Sequence, residues 1–272
     1  MTQRCFYKMH GLGNDFVVVD ARAELFEADS ERIRAIADRR TGVGCDQFIV
    51  ITPPQHKAAS AGMRIFNADG GEVEACGNAA RCIARLLMDE GRDQVRIESP
   101  AGILVARRAN GEKVTVDMGP AGVDWVDIPL AEAQDTLHLD LEIGPYRDPC
   151  AVNMGNPHCV FFVDDAEAVD LAHWGPQVEH HPLFPQRTNV EFVHLAGPNH
   201  LRMRVWERGV GITRACGTGA CASVVAARRR YLVDGPTRVT LDGGELEIDW
   251  ITTGHVLMTG PTALSFRGEW PL

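Results

Sequence analysis

The stretch Ala75-Cys76-Gly77-Asn78-Ala79-Ala80-Arg81-Cys82 returns later in the chain as Ala215-Cys216-Gly217-Thr218-Gly219-Ala220-Cys221-Ala222. In each copy a cysteine and a glycine directly precede an alanine-rich run that favours a helix. The first turn of such a helix exposes backbone N–H groups, which bind anions and stabilise a thiolate. Two such sites indicate two thiols that act on one substrate. Moving a proton from one face of a carbon to the other requires such a pair of acid and base.

The repeat extends beyond the cysteines at a nearly constant spacing of 140 to 142 residues. The further matches are Gly13-Asn14-Asp15-Phe16 with Gly155-Asn156-Pro157-His158, Gln47 with Asn189, Met63-Arg64-Ile65-Phe66-Asn67 with Met203-Arg204-Val205-Trp206-Glu207, and Met118-Gly119-Pro120 with Thr259-Gly260-Pro261. The alternative is a chance similarity of glycine- and alanine-rich turns. A period this long is not that of a solenoid, so it predicts two domains of one fold. We place the N-terminal domain at 1–119 together with 262–272, and the C-terminal domain at 120–261.

Length and composition fit this arrangement and exclude several classes of protein. The chain has 272 residues, enough for two domains that each bury a core. It is 45% hydrophobic and 24% charged, as ordinary globular proteins are, and its formal charge of −10 argues against nucleic-acid binding. We recognise neither a signal-peptide core nor an apolar run of the ~20 residues that span a bilayer. We therefore expect a cytoplasmic protein with no membrane partner, whose eight cysteines are free thiols.

The pattern of apolar residues predicts an α+β protein. Short, β-branched segments bounded by turn residues are typical of strands, and a spacing of three and four residues is typical of helices. In the first half we predict strands at 16–20, 47–51, 63–67, 95–99, 103–107 and 114–118, and helices at 30–39 and 78–90. In the second half we predict strands at 160–163, 190–194, 202–206, 237–241, 246–250 and 255–258, and a helix at 218–231. Mostly consecutive strands around one long helix per half argue against alternating βαβ units.

Among the cysteines, Cys76 and Cys216 are the candidates for chemistry because they hold equivalent positions before the predicted helices. Cys82 and Cys221 fall inside those helices, where a cysteine usually packs as a small hydrophobe. The remaining four have no counterpart in the repeat, and we treat them as structural: Cys5, Cys45, Cys150 and Cys159. The spacings do not match zinc ligands, and no Cys-x-x-Cys motif is present, so we expect no metal. A single cysteine with His158 as its base would leave the second cysteine unexplained.

Several ordered segments carry a resemblance to a known family. They are Lys8-Met9-His10-Gly11-Leu12-Gly13-Asn14-Asp15-Phe16, Gly44-Cys45-Asp46-Gln47, Arg64-Ile65-Phe66-Asn67-Ala68-Asp69-Gly70, Ala75-Cys76-Gly77-Asn78, Gly155-Asn156-Pro157-His158, Thr188-Asn189-Val190-Glu191-Phe192, Arg204-Val205-Trp206-Glu207-Arg208-Gly209 and the second cysteine motif. The chain resembles the diaminopimelate epimerases over essentially its whole length. The resemblance implies interconversion of LL- and meso-2,6-diaminopimelate, toward lysine and peptidoglycan, by an isomerase that uses no pyridoxal phosphate, metal or other cofactor. It also implies a homodimer, with two domains per chain. Each domain is a central helix wrapped by a mixed β-sheet or barrel, and the active site lies in the cleft between the domains.

The resemblance assigns roles to individual residues. Cys76 and Cys216 exchange the roles of base and acid, and the helix N-termini lower the pKa of both thiols. The backbone around Gly77, Asn78, Gly217 and Thr218 binds the substrate α-carboxylate, and His158 and Glu207 hold the ammonium group and tune the thiols. Asn67, Asn189 and Arg208 hold the distal carboxylate, and Asn14, Gln47 and Asn156 complete the polar lining.

Ala79 departs from the family pattern, which has a second glycine at this position. A positive φ there would be strained in alanine. Two other functions stay open at this point. One is an epimerase of the same fold that acts on proline or hydroxyproline, against which the distal-binding residues argue. The other is a non-catalytic thiol sensor or binding protein, which the intact pair of cysteines disfavours.

Overall fold

A computed structural model describes residues 3–73, 76–100 and 102–271 of the chain. Ala75, the first residue of the first cysteine motif, lies outside the described residues. The chain forms two compact units, Met1–Asp117 with Thr259–Leu272, and Met118–Met258. Among the described helices, none combines the length and the apolar character that crossing a membrane requires.

The first half of the chain builds a mixed sheet around a long helix. Its elements are β1 (Gln3–Gly11), β2 (Asn14–Asp20), α1 (Ser30–Ala37), β3 (Gln47–Thr52), β4 (Ala61–Asn67), β5 (Glu72–Val73), α2 (Gly77–Met88), β6 (Gln94–Ser99), β7 (Gly102–Arg108) and β8 (Lys113–Pro120). Strand β2 lies antiparallel to β1 and parallel to β3. Strand β4 lies antiparallel to β3 and parallel to β6. Helix α2 packs against β1, β6 and β7, so it forms the centre that the strands surround.

The second half repeats this plan. Its elements are β9 (Glu142–Ile143), β10 (Tyr146–Arg147), β11 (Cys150–Asn153), β12 (Pro157–Phe162), a 3-10 helix (Ala166–Ala168), α3 (Leu171–Glu179), β13 (Asn189–Gly197), β14 (His200–Glu207), β15 (Gly211–Ile212), α4 (Gly217–Arg229), β16 (Thr237–Leu241), β17 (Gly244–Trp250) and β18 (His255–Pro261). Strands β12 and β13 are parallel, β13 and β14 antiparallel, and β14 and β16 parallel. The last strand, β19 (Ala263–Pro271), pairs antiparallel with β1 of the first unit.

The two halves repeat the pairing residue by residue. The equivalent parallel pairs are Phe16 with Gln47 and His158 with Asn189, and further along Ala61 with Ile97 and Leu201 with Val239. Members of equivalent pairs are 140 or 142 residues apart, the spacing that the cysteine motifs show. The internal repeat of the sequence is therefore a repeat of the fold, and the predicted α+β class is confirmed.

Each sheet is covered on both faces, and this layering decides which side chains reach the central helix. Val190 and Phe192 of β13 pack in an apolar cluster with residues of α3. Because side chains alternate along a strand, Asn189 and Glu191 point to the opposite face. Helix α4 packs against β12, β13 and β14 on the other side of the sheet. The polar residues of β13 therefore face the helix that begins after Cys216.

The predicted strands and helices all occur, with ends shifted by a few residues. The sequence reading missed β1, β11, β19 and α3, together with the 3-10 helix and the two-residue strands β5, β9, β10 and β15. In β1 the alternating buried positions include Arg4 and Lys8. Their charges are paired with Glu24 and Asp15, respectively. Because charged residues occupy these buried positions, the strand lacks the alternation of apolar and polar residues that predicts a strand. Strand β19 alternates polar residues with Leu264, Phe266 and Trp270, but it is mostly exposed and is held by backbone pairing with β1. Helix α3 contains Pro176 after a glycine, a pair that normally signals a turn.

The burial of Cys82 predicts a role in packing rather than in chemistry. Its side chain is fully buried within α2, which confirms the sequence-based expectation, whereas Cys5 on β1 is exposed. We expect Cys82→Ala to lower the free energy of unfolding by about 1 kcal/mol, since it removes one buried heavy atom. The matched Cys5→Ala variant should change it by less than about 0.5 kcal/mol. Urea denaturation followed by tryptophan fluorescence measures both, and equal effects would contradict the assignment.

Candidate active site

In the first unit, Cys76 is the residue from which α2 begins. Its backbone is extended, and its half-buried thiol lies 3.8 Å from Asn14 Oδ1, within reach of a weak S–H hydrogen bond. Asn78 Nδ2 donates to the same oxygen at 3.2 Å. Asn14 Nδ2 in turn donates to Asp46 Oδ2 at 3.1 Å. Because a carboxylate only accepts hydrogen bonds, Asp46 fixes the Asn14 amide with its oxygen toward Cys76.

The other predicted residues of this unit stand at the ends of neighbouring strands. Gln47 and Asn67 are opposite each other in β3 and β4, and Gln47 Nε2 donates to Asn67 Oδ1 at 3.1 Å. Gln47 Oε1 is buried and has no hydrogen-bond partner within the described ranges. Gly77 and Asn78 form the first turn of α2, as predicted, and Ala79 follows them as a fully buried helical residue. Since Ala79 is not among the residues with positive φ, alanine is accommodated without backbone strain.

In the second unit, Cys216 caps α4 with its own side chain. The buried Sγ accepts a hydrogen bond from the backbone N–H of Gly219 at 3.3 Å and lies 3.5 Å from Thr218 Oγ1. A methyl group on Gly219 would come within 3.2 Å of this sulfur and 2.8 Å of Glu191 Oε1. Position 219 therefore favours glycine, because the Cys216 thiol and the Glu191 carboxylate both lie against the first turn of α4.

The helix N-terminus acts on the pKa of the Cys216 thiol in the expected direction, but larger effects oppose it and the pKa is raised overall. Burial raises the pKa of this thiol well above its usual value, and the nearby carboxylates of Glu207 and Glu191 raise it further. The hydrogen bonds from Thr218 and Gly219 act in the opposite direction but are weaker. Burial and these two carboxylates therefore favour the thiol form of Cys216 over the thiolate.

Glu207 lies at the end of β14 and interacts with the Cys216 thiol. Burial raises the pKa of the Glu207 carboxyl, while hydrogen bonds from Thr213 and Cys216 and the proximity of His158 lower it in part. Of the two predicted supporting residues, Glu207 interacts with this thiol, and His158 lies close enough to influence the Glu207 carboxyl. Thr213, which sequence reasoning missed, orients the carboxylate through its hydroxyl.

His158 is fully buried and uses both ring nitrogens. Nδ1 lies 2.7 Å from Glu191 Oε1, and Nε2 lies 2.9 Å from Asn156 Oδ1. Asn156 was predicted as part of the polar lining, whereas Glu191 was not predicted to have a role. The available signal was a single glutamate in an otherwise apolar strand segment, inside a segment that carried the family resemblance.

Asn189 and Arg208 lie together at the edge of the same sheet. Asn189 is buried, donates to Pro157 O at 2.9 Å and accepts the backbone N–H of Arg208 at 3.0 Å. Arg208 follows Glu207 in a tight turn closed by a bond from Val210 N to Glu207 O, for which Gly209 adopts a positive φ. The exposed guanidinium donates from NH1 to Gln186 O at 3.1 Å. Asn189 therefore positions Arg208 through its backbone and leaves the guanidinium in solvent.

The repeat makes the chemical difference between the units visible. Three charged or titratable residues around Cys216 have neutral counterparts at equivalent positions of the first unit. The equivalent pairs are His158 and Phe16, Glu191 and Ile49, and Glu207 and Asn67. The two cysteines thus stand at equivalent places of one fold in electrostatically different surroundings.

Comparison with known proteins identifies the family of the chain. The diaminopimelate epimerase family model matches residues 6–123 and 150–264. The chain belongs to the diaminopimelate epimerase family. A diaminopimelate epimerase from Rhodospirillum centenum is 59% identical over 98% of this chain and 92% of its own length. One from Phenylobacterium zucineum is 53% identical over 98% of both chains.

Solved structures of lower identity share the fold of this member of the diaminopimelate epimerase family. A predicted epimerase from Pseudomonas aeruginosa superposes with a TM-score of 0.72 at 20% identity, over 99% of both chains. At this identity the likeness extends to the architecture only. The relatives of higher identity, and not the fold, therefore decide the family.

The surroundings of Cys216 predict its reactivity with iodoacetamide. Because the pKa of this thiol is raised well above its usual value, alkylation should begin only at alkaline pH. Glu207→Gln removes one of the negative charges that raise this pKa, so its alkylation profile should shift to lower pH. The exposed Glu247→Gln serves as the matched control and should leave the profile unchanged. Peptide mass spectrometry at Cys216 gives the rates, and identical profiles for the wild type and Glu207→Gln would contradict this electrostatic assignment.

Proposed function

We propose that this chain is an isomerase that interconverts LL- and meso-2,6-diaminopimelate, in lysine biosynthesis and the supply of peptidoglycan precursors, without a cofactor. The observation that carries the proposal is the near-complete coverage by diaminopimelate epimerases at up to 59% identity among the relatives named above. Both cysteines, and the polar residues around each, fit a reaction that removes a proton from one face of an α-carbon and returns one to the other. We place the reaction in the cytoplasm and the enzyme in a homodimer.

The proton transfer requires one thiolate and one thiol. Burial and the carboxylates of Glu207 and Glu191 favour the thiol form of Cys216, and so we assign it the role of general acid. Cys76 has no carboxylate at the repeat positions equivalent to Glu191 and Glu207. It therefore serves as the base in the direction of reaction in which Cys216 is the acid. In the reverse reaction the roles exchange, because the same two groups must return the proton.

The α-proton of an amino acid is a very weak acid, so the negative charge that develops on the α-carboxylate must be stabilised. The backbone N–H groups of the first turns of α2 and α4, at Gly77, Asn78, Gly217 and Thr218, supply oriented donors for this charge. Glu207 holds the substrate ammonium group as a carboxylate. His158 supports Glu207 from β12, which β13 separates from β14.

We propose that Asn67, Asn189 and Arg208 recognise the distal, non-reacting centre, with Asn14, Gln47 and Asn156 in the lining. The support is the exposed guanidinium of Arg208, whose backbone Asn189 holds in place. A planar guanidinium pairs with both oxygens of a carboxylate. A substrate of the proline type has no such second centre, so these residues favour diaminopimelate over it.

Removal of either thiol tests the proposed chemistry. With LL-diaminopimelate and no added cofactor, wild-type protein should produce the meso isomer, as chiral chromatography detects. We expect Cys76→Ala and Cys216→Ala each to lower kcat at least about 100-fold, because each removes a general acid–base group. Cys221→Ala, inside α4, is the matched control and should keep at least half of wild-type activity. Failure of the wild type, or normal turnover in either folded active-site variant, would overturn the proposal.

Arg208→Lys tests recognition of the distal carboxylate. Lysine keeps the charge but loses the planar fork, so kcat/KM for diaminopimelate should fall about 10- to 100-fold. α-Proton exchange of L-lysine, which lacks the distal carboxylate, should change by less than about threefold. The exposed Arg238→Lys is the control and should affect neither substrate. An equal loss on both substrates would show that Arg208 has another role.

A further inference from the structure

The buried pair of His158 and Glu191 is the strongest unassigned feature of the molecule. Both side chains have no exposed surface, and His158 Nδ1 lies 2.7 Å from Glu191 Oε1. The second carboxylate oxygen, Oε2, is also buried and has no hydrogen-bond partner within residues 3–73, 76–100 and 102–271. A buried carboxylate with so few hydrogen bonds is costly, so its link to the imidazole carries most of its stabilisation.

The repeat shows that the fold does not need this pair. At the equivalent positions of the first unit stand Phe16 and Ile49, both fully buried in the same two neighbouring strands. Replacing a buried ion pair by apolar residues of similar volume is often neutral or stabilising. The first unit packs with the apolar pair, and so a role in chemistry accounts better for the polar pair than a role in packing.

The pair also lies beside the reacting thiol. A methyl group placed on Gly219 would be 2.8 Å from Glu191 Oε1 and 3.2 Å from Cys216 Sγ, so these atoms flank one point of the first turn of α4. The groups that face His158 are Glu191 on β13, Glu207 on β14 and Asn156 before β12. Glu191 is therefore placed to act on the chemistry through His158.

Hydrogen-bond chemistry fixes what Glu191 does to the ring. A carboxylate only accepts hydrogen bonds, so the contact at 2.7 Å requires a hydrogen on His158 Nδ1. With Glu191 ionised, this contact favours the ring form that has a hydrogen on Nδ1. Nε2 is then the nitrogen left for the contact with Asn156 Oδ1 at 2.9 Å.

We propose that Glu191 is a positioning residue that holds His158 with its hydrogen on Nδ1 and its Nε2 toward Asn156. The expected effect of Glu191 on kcat rests on the proposed function, whereas the position of the hydrogen on the His158 ring does not. It adds to the two cysteines a third element of the acid–base machinery, and this element exists only in the second unit.

The test combines nitrogen-15 NMR of the histidine rings with kinetics. In wild-type protein, the His158 signals, assigned by their loss in His158→Asn, should show a hydrogen on Nδ1. Glu191→Gln keeps the shape, but its side-chain amide can donate to a bare Nδ1 as well as accept from a protonated one, so the other tautomer should become populated. We expect kcat to fall about 10- to 100-fold, as when partners that orient a functional histidine are removed, with KM changed less than about threefold.

The control is Asp148→Asn, since His138 Nδ1 lies 2.9 Å from Asp148 Oδ1 in another histidine–carboxylate pair of the same unit. It should leave kcat within about twofold. Glu191→Asp, which keeps the accepting carboxylate, should retain the hydrogen on Nδ1 and more activity than Glu191→Gln.

A bare Nδ1 in wild-type protein would overturn the proposal even if Glu191→Gln fails to fold. Wild-type kcat in Glu191→Gln would overturn it as well. Failure of wild-type protein to epimerise diaminopimelate would contradict the proposed function, while the NMR result would still decide the role of Glu191.

Discussion

The thiol of Cys216 is subject to two opposing electrostatic effects, and the acid–base chemistry depends on which is stronger. The N–H of Gly219 and the hydroxyl of Thr218 favour the thiolate, as the start of a helix does in general. Burial and the carboxylates of Glu207 and Glu191 favour the thiol, and they prevail. Each unit of pKa corresponds to 1.36 kcal/mol between the two protonation states. A helix terminus, whose effect is about 0.3–1 kcal/mol at exposed sites, does not overcome burial next to two carboxylates.

Duplication of the fold accounts for the two cysteines of the proposed chemistry. The strands and the central helix of each unit place a cysteine at the same point of the same architecture. What differs is the set of side chains that the flanking strands direct toward that helix. Phe16, Ile49 and Asn67 are neutral, whereas His158, Glu191 and Glu207 are titratable. A symmetric scaffold thus carries an asymmetric distribution of charge, as a reaction needs when one proton is shared between two thiols.

Much of the fold was predictable from the sequence because its signals are local. The constant spacing of the cysteine motifs identified the repeat, and short β-branched segments identified most of the strands. Strand β1 was missed because Arg4 and Lys8 occupy buried positions that are apolar in an ordinary strand. Their charges are satisfied by residues distant in sequence, and no local pattern reports such pairing.

The candidate site was predictable in its residues more than in its electrostatics. The family resemblance identified Cys216, Glu207 and His158, but it did not indicate that the carboxylates outweigh the helix N-terminus. That balance depends on burial and on the distances between elements far apart in the chain. Glu191 was missed because its role depends on contact with a residue on the neighbouring parallel strand, which a single segment of sequence does not reveal.

The most direct test of two thiols with opposite roles is the fate of the α-hydrogen during the first few per cent of turnover in deuterated water. Starting from unlabelled LL-diaminopimelate, the meso product should carry one deuterium at the inverted centre, while the remaining substrate carries essentially none. This result follows if one group removes the proton and a second group, equilibrated with solvent, supplies the new one. Product that retains the original hydrogen, or substrate that gains deuterium as fast as product forms, would show that a single group serves both faces.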